Sequence, residues 1–389
     1  MRSVVHFYLP GALDPEHPGY LQDADHSGTF LPSSDRFLSL QARQLWLFST
    51  LATEGVSRDA TLSAARSGYQ SVRRFRDDAR GGYHSKISAD GQIVDRRKEL
   101  CLNGFALYAL AAYHRATAES RPLDEARHLF DTLEAHSHDR QFGGYLELFE
   151  ADWTPIADRS VRGYWAYGDA KTHNGHLHYL ETLAELYRVW PDELVARRLG
   201  ELIAINLWAM KHPRVSTTVL LWTRDWRMTA VPRNRLSSYG HDLEGVWLTL
   251  DAARALGWSS NSLRGWAVAM CSYALRHGYD TRHGGFYREG PIGRRADDRS
   301  KEWWIQAEAL VAMLELFRMT SDPIYYGVFA STLDFIERHQ IAPGGGWWSI
   351  RSENGSPHAR GTLGSEYQDG YHTGRALLRC ARMLEDLSA

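Results

Sequence analysis

The stretch RGGYHSKISADGQIVDRRKELCLNGFALYALAAYHRA, residues 80–116, decides the fold. It opens on a double glycine, an aromatic residue and a short polar segment, which reads as a small strand or hairpin. It closes on residues 100–115, where apolar side chains recur at the three-and-four rhythm of a helix that buries a face. The same punctuation returns as FGGYLELFEAD at 142–152, HGGFYREG at 283–290 and GGGWWSIRSENG at 344–355, with looser members HSGTFLPSSD at 26–35 and VLLWTRDWRMT at 219–229. Counted at Gly28, Gly82, Gly144, Leu220, Gly285 and Gly345, the marks lie 54, 62, 76, 65 and 60 residues apart, which sets a period near 60. Between them, periodicity predicts helices over residues 36–51, 100–115, 125–136, 174–189, 194–210, 242–256, 262–277, 305–319, 323–339 and 371–384. Two helices per period, about six times over, imply an all-α (α/α)6 barrel of about twelve helices in two rings, with short β-hairpins in the connecting loops. No Pro-, Gly- or Ser-rich linker interrupts the series, so residues 1–389 are expected to form a single barrel catalytic domain. An open helical solenoid is the alternative, because periodicity does not show closure. No GxGxxG loop links a strand to a helix, which excludes a dinucleotide-binding fold.

Composition narrows the function. The 45 Lys and Arg nearly balance 47 Asp and Glu, so neither nucleic acid nor an anionic membrane is an expected partner. The short basic runs RRFR at 73–76 and RRK at 96–98 read as solvated surface. Cys101, Cys271 and Cys380 form an odd set without paired spacing, against a disulfide scaffold or thiolate metal site. The N-terminal residues carry neither a signal peptide nor a membrane span, so a cytoplasmic location is expected. The 14 Trp, 19 Tyr and 13 Phe, beside 18 His, suit both a roomy helical core and a sugar-binding cleft.

Four polar clusters sit near expected helix starts. In KTHNGHLH at 171–178, Asn174 and His178 are four apart and share a helix face, while His176 points elsewhere. These histidines read as sugar-binding or catalytic groups; a metal site lacks further ligands, and plain helix-start histidines are the structural alternative. In SSYGHDLEGVW at 237–247, Gly240 marks a turn, Asp242 is placed to cap, and His241 and Glu244 are three apart, which sets a base beside a carboxylate. In KEWWIQAEA at 301–309, one of Trp303 and Trp304 is expected to line a cavity, with Glu308 a turn beyond Trp304 to meet the same ligand, or else to serve a salt bridge. In EYQDGYHTGR at 366–375, His372 and Arg375 lie three apart on the last helix. Helix starts in a ring gather at one mouth.

Taken together, QARQLW at 41–46, SYGHDLE at 238–244, KEWWIQAEA at 301–309 and YHTGRAL at 371–377 resemble the N-acylglucosamine 2-epimerase superfamily, most closely its cellobiose 2-epimerase and mannose 2-epimerase branch. The resemblance spans nearly the whole chain. It implies an (α/α)6 barrel that works without metal or nucleotide coenzyme, so no cofactor is expected. It also implies that His178, His241 and His372 are the catalytic histidines and Arg43 the cavity arginine. By the same resemblance Asn174 contacts sugar, Glu244 supports a histidine, Trp303 and Trp304 line the substrate site, and Glu308 lies nearby. Where relatives carry a tryptophan five residues before the final histidine, this chain has Tyr367, a smaller platform that favours a monosaccharide over a disaccharide. Cys101 and Asn103 also depart from the relatives' pattern.

C2 epimerisation needs an open-chain sugar, removal of the proton alpha to the carbonyl and its return to the other face. Imidazole, with a pKa near about 6.5, accepts and donates close to neutral pH. His241 and His372 are assigned to the two faces of C2, His178 to ring opening or O1, and Arg43 to the enediolate oxygen. The expected partner is a small-molecule sugar such as mannose, glucose or cellobiose, and the expected assembly is a monomer or loose homodimer. The alternatives are an aldose–ketose isomerase, a non-catalytic sugar-binding barrel and, less favoured, a glycoside hydrolase, which needs two carboxylates about 5–10 Å apart.

Overall fold

The computed structural model describes residues 1–32 and 35–388; Ser33 and Ser34 of the HSGTFLPSSD segment lie outside the described residues, as does Ala389. The described residues form twelve α-helices: α1 (Arg2–Tyr8), α2 (Leu38–Thr53), α3 (Arg58–Arg73), α4 (Leu100–Thr117), α5 (Ser120–His136), α6 (His173–Val189), α7 (Glu193–Ala204), α8 (Tyr239–Ala255), α9 (Arg264–Gly278), α10 (Trp303–Thr320), α11 (Pro323–Phe335) and α12 (Tyr371–Ser388). In α2, α4, α6, α8 and α10 nearly every side chain is buried, whichever way it points. A helix covered on all sides belongs inside a ring. Contacts run α2 to α4, α6, α8, α10 and α12, and α12 returns to α2, so the ring is closed and the solenoid is ruled out. Outside it, α3, α5, α7, α9 and α11 each pack on the inner helix before them and bury one face.

Two helices escaped the sequence reading. In α3 the buried face is Thr61, Ala64, Ala65, Gly68, Tyr69, Ser71 and Val72, of which only Tyr69 and Val72 are large apolar residues; α1 is only 7 residues long. The outer segments predicted over 194–210 and 323–339 each end in a π-helical turn, Ile205–Ala209 and Ile336–Gln340.

The glycine-marked segments do form short strands, but most pair between repeats rather than as local hairpins. Lys98–Glu99 pairs with Leu148–Phe149, Ala170–Thr172 with Leu221–Thr223, Leu236–Ser238 with Glu289–Pro291, and Lys301–Glu302 with Ile350–Arg351, all antiparallel. A strand entering one inner helix is thus stitched to the next repeat around the rim. In Gly81–Gly82, Gly143–Gly144 and Gly284–Gly285 both residues have φ between +68° and +77°, a conformation that side chains with a Cβ rarely adopt. Each pair is held by a buried lysine two residues before the inner helix. Lys98 reaches Asp77 at 2.9 Å, Lys171 reaches Asp139 at 3.0 Å and Lys301 reaches Asp280 at 2.8 Å, and each ammonium also donates to the carbonyl of the first glycine.

Candidate active site

The inner helices use two positions of their first turns differently. The fourth residue of each faces the rim. Gln41 accepts from Tyr20 N–H at 3.0 Å, Asn103 from Tyr83 N–H at 2.8 Å, His176 from Tyr145 N–H at 3.0 Å, Asp242 from Thr218 N–H at 2.7 Å and Gln306 from Phe286 N–H at 2.7 Å. His176, Asp242 and Asn103 are therefore clamps on the preceding loop. Asp242 does not cap α8, which starts at Tyr239; burial pushes its carboxyl up to about 7 against hydrogen bonds from Thr217 and Thr218. Gly240 is not a turn either. It lies inside α8, where a Cβ would meet the Trp304 ring at 2.5 Å.

The sixth residue of α2, α4, α6, α8 and α10 is Arg43, Phe105, His178, Glu244 and Glu308. This layer forms the floor of the barrel mouth. The Arg43 guanidinium lies 4.2 Å from the Phe105 ring centre and 4.6 Å from those of Trp165 and Tyr371. Phe105 in turn packs on the His178 ring at 4.9 Å. Above the floor opens a cavity of about 500 Å³ walled by Arg43, Asn174, His178, His241, Glu244, Trp303, Trp304, Tyr367 and His372. The structure thus brings every residue proposed from sequence to one cavity except Glu308, which is fully buried behind His372 and does not line it. Both tryptophans line the cavity, as the family resemblance implied, whereas helix spacing alone offered one. His241 and His372 lean on the same Trp304 ring, with ring centres 4.9 and 5.8 Å away. Tyr367 is 44% exposed at the mouth and stacks on Tyr164 at 4.7 Å.

The partners of the histidines differ from the expectation. His241 Nδ1 bonds Ser238 Oγ at 2.6 Å, not Glu244. Nδ1 of His372 meets Glu308 at 2.6 Å, with Glu244 at 3.8 Å. His178 Nδ1 meets Glu181 at 3.1 Å. The His-x-x-Glu spacing occurs at 178/181 and 241/244; only the first becomes a hydrogen bond, because helix geometry permits the contact and the neighbours decide whether it forms. Glu181 was the carboxylate that spacing offered and sequence reading passed over.

Beneath the floor sits Arg375, 1% exposed. It donates through Nη1 to Glu181 and to the Tyr371 hydroxyl, and through Nη2 to Glu244 at 2.7 Å and Glu308 at 2.8 Å. One cation thus serves three carboxylates. Burial opposes ionisation of Glu181, but Arg375 and His178 hold it far below the usual carboxylate range. Burial raises Glu308, with Arg375 opposing. Glu244, Glu308 and His372 bring three potential ligand atoms within 4.8 Å of one another. The Arg375 guanidinium already donates to both carboxylates and repels a further cation, so the set does not suit a metal. All three cavity imidazoles are biased toward the neutral base. Burial lowers each; Glu181 partly opposes this at His178, while His173 and Arg233 add to it at His241, and Arg43 and Arg375 at His372. His173, buried against His241, is pushed down to about 3 by burial and by His178.

One wall had no sequence signal. Residues 163–166 run past Glu99, whose carboxylate accepts the backbone N–H groups of Tyr164, Trp165 at 3.0 Å and Ala166 at 3.3 Å. That anchor sets Trp165 against Arg43, while the Tyr164 hydroxyl donates to the Glu366 carbonyl at 2.6 Å. Arg233 and Glu302 complete the mouth; Glu302 accepts from Trp304 Nε1 at 2.7 Å.

The family described as N-acylglucosamine 2-epimerase (GlcNAc 2-epimerase) matches residues 19–376. A cellobiose 2-epimerase of Bacteroides fragilis is 30% identical over 96% of this chain and 94% of that protein. A D-mannose isomerase of Marinomonas mediterranea is 25% identical over 100% of this chain and 96% of that protein. The solved structure of cellobiose 2-epimerase from Spirochaeta thermophila superposes with a TM-score of 0.87 at 30% identity, covering 99% of this chain and 94% of that one.

Proposed function

The chain belongs to the N-acylglucosamine 2-epimerase family, and on that premise we propose that it interconverts a reducing aldose with its C2 epimer through a cis-enediolate. The observation that carries this reading is the meeting of three imidazoles and the Arg43 guanidinium on a single cavity. His178 assists ring opening at O1. His241 and His372, both packed against Trp304, serve the two faces of C2, one removing the proton and the other returning it. Their depressed pKa values keep a base available at neutral pH. Arg43, held by three aromatic faces, supplies fixed positive charge to the enediolate oxygen. A cavity of about 500 Å³ takes a monosaccharide such as mannose or glucose and has room for a second ring. Tyr367, already stacked on Tyr164, is a modest outer platform and favours the monosaccharide.

A second reading follows from the D-mannose isomerase relative: the proton returns to C1 and the product is a ketose. Incubation of glucose, mannose and cellobiose separately in heavy water separates the two, with products and deuterium position read by NMR. Deuterium at C2 of the epimer supports epimerisation, deuterium at C1 of a ketose supports isomerisation, and hydrolysis products or no reaction reject both.

A further inference from the structure

Three carboxylates converge on the Arg375 guanidinium, and the hydrogen bonds they receive are unequal. Glu181 accepts from Arg375, the Tyr371 hydroxyl and His178 Nδ1. Glu308 accepts from Arg375 at 2.8 Å, Trp247 Nε1 at 2.7 Å and His372 Nδ1 at 2.6 Å. Among the described residues Glu244 accepts from Arg375 alone, at 2.7 Å, and of the three carboxylates it is the one that lines the cavity. The other groups around Glu244 are Glu308 on α10, His372 and Arg375 on α12, Glu181 on α6 and, on its own helix, His241.

Buried charge must be balanced or neutralised by a proton. With three carboxylates on one guanidinium, full ionisation leaves two uncompensated negative charges, so a proton resides in the cluster. An ionised carboxylate is stabilised by donors, and a carboxylic acid needs an acceptor for its own O–H. Glu181 and Glu308 each meet three hydrogen-bonding partners, which favours their ionised forms, whereas Glu244 meets Arg375 and has an open side toward the cavity. We propose that Glu244 rests as a neutral carboxylic acid and donates a hydrogen bond to an oxygen of the open-chain sugar. Burial and the adjacent Glu308 push its carboxyl in the same direction, against Arg375.

The consequence is a second electrophile on the cavity that Arg43 lines. An ionised Glu244 would repel the negative charge that grows on the enediolate, while the acid stabilises it without importing net charge. This replaces the expected role of a charged support for histidine, which Glu308 fills. The donor role rests on the proposed epimerase reading; the protonation state does not.

Infrared difference spectra of the folded protein at pH 7, wild type minus Glu244→Gln, test the state in the absence of any sugar. A protonated carboxyl stretch that shifts in heavy water is expected, whereas wild type minus Glu308→Gln should show loss of an ionised carboxylate. Lack of the protonated band in the first spectrum overturns the proposal. The donor role is read from turnover. Glu244→Gln, which keeps an N–H donor, should lower kcat by about tenfold, and Glu244→Met, which keeps the bulk alone, by about 10²–10³-fold, the usual loss for one oxyanion donor. Equal impairment of the two variants, each with a native near-ultraviolet circular dichroism spectrum, overturns it. If the wild type turns over no sugar, the epimerase reading fails while the spectra still decide the protonation state.

Discussion

The fourth and the sixth residues of the inner helices make two polar layers half a turn apart, and they are built on opposite rules. At the fourth position, Gln41, Asn103, His176, Asp242 and Gln306 each hold a backbone group of the loop before them, beside repeated Lys–Asp pairs in which no carboxylate lacks a cation, Asp139 having Arg224 as well as Lys171. At the sixth, Arg43, Phe105, His178, Glu244 and Glu308 are of four different kinds, and the two carboxylates outnumber the cation that serves them. A motif repeated around the ring with balanced charge positions the chain. A layer that breaks the repeat and leaves charge unbalanced stores the electrostatics that chemistry needs. Variants in the two layers are therefore expected to fail differently.

The largest effect is expected at Arg375→Met. Removing the shared cation strands the carboxylates, so chemical denaturation should show a loss above the roughly 3–5 kcal/mol of an ordinary broken buried pair, together with loss of turnover. Full stability in this variant would show that the cluster was already neutral without Arg375. Lys301→Met is the matching break at the rim: a loss of about 3–5 kcal/mol is expected from the orphaned Asp280, with kcat of the folded protein changed only a few-fold. A collapse of kcat there at native stability would erase the distinction between the layers.

His241→Asn and His372→Asn should lower epimerisation by about 10²–10⁴-fold while sugar binding and the thermal midpoint stay near the parent. Each variant should still exchange the C2 proton of one epimer with solvent, and the favoured epimer should switch between the two. Exchange of the same epimer by both variants would reject a two-sided site.

The pH dependence sharpens the contrast further. Because burial and nearby cations lower the cavity imidazoles, kcat/KM should stay level through pH 7 and fall only below the ordinary histidine value of about 6.5. Arg233→Met removes a cation that depresses His241, so the acid limb should move up toward that value. The same groups act on stability. Below about pH 6.5 the unfolded chain takes up protons that the buried imidazoles refuse, so stability rises with pH through that range and is lost as the medium is acidified. A thermal midpoint indifferent to pH between 5 and 7 would contradict this. The smallest effect belongs to Tyr367→Ala at the exposed mouth, where loss of an aromatic face should raise KM for a disaccharide by about 2- to 10-fold and barely change that for mannose.

By itself the sequence determined the repeated helix pairs and most of the residues that meet on the cavity. The 60-residue punctuation and the apolar runs gave repeated helix pairs, because burial periodicity is a local property of a helix. The clusters around His178, His241, Trp304 and His372 were legible for the same reason, since each lies within one first turn and all first turns face the mouth of a closed ring. Helix α3 stayed hidden because its buried face carries only two large apolar side chains, Tyr69 and Val72, among small ones. Tertiary structure alone decided the partners. His372 takes Glu308 from α10, Glu244 turns from His241 to Arg375, and Glu99 fixes Trp165 from 66 residues away. Such pairings depend on the rotation and axial offset of neighbouring helices and on loops bound through their backbone amides, which carry no side-chain signature.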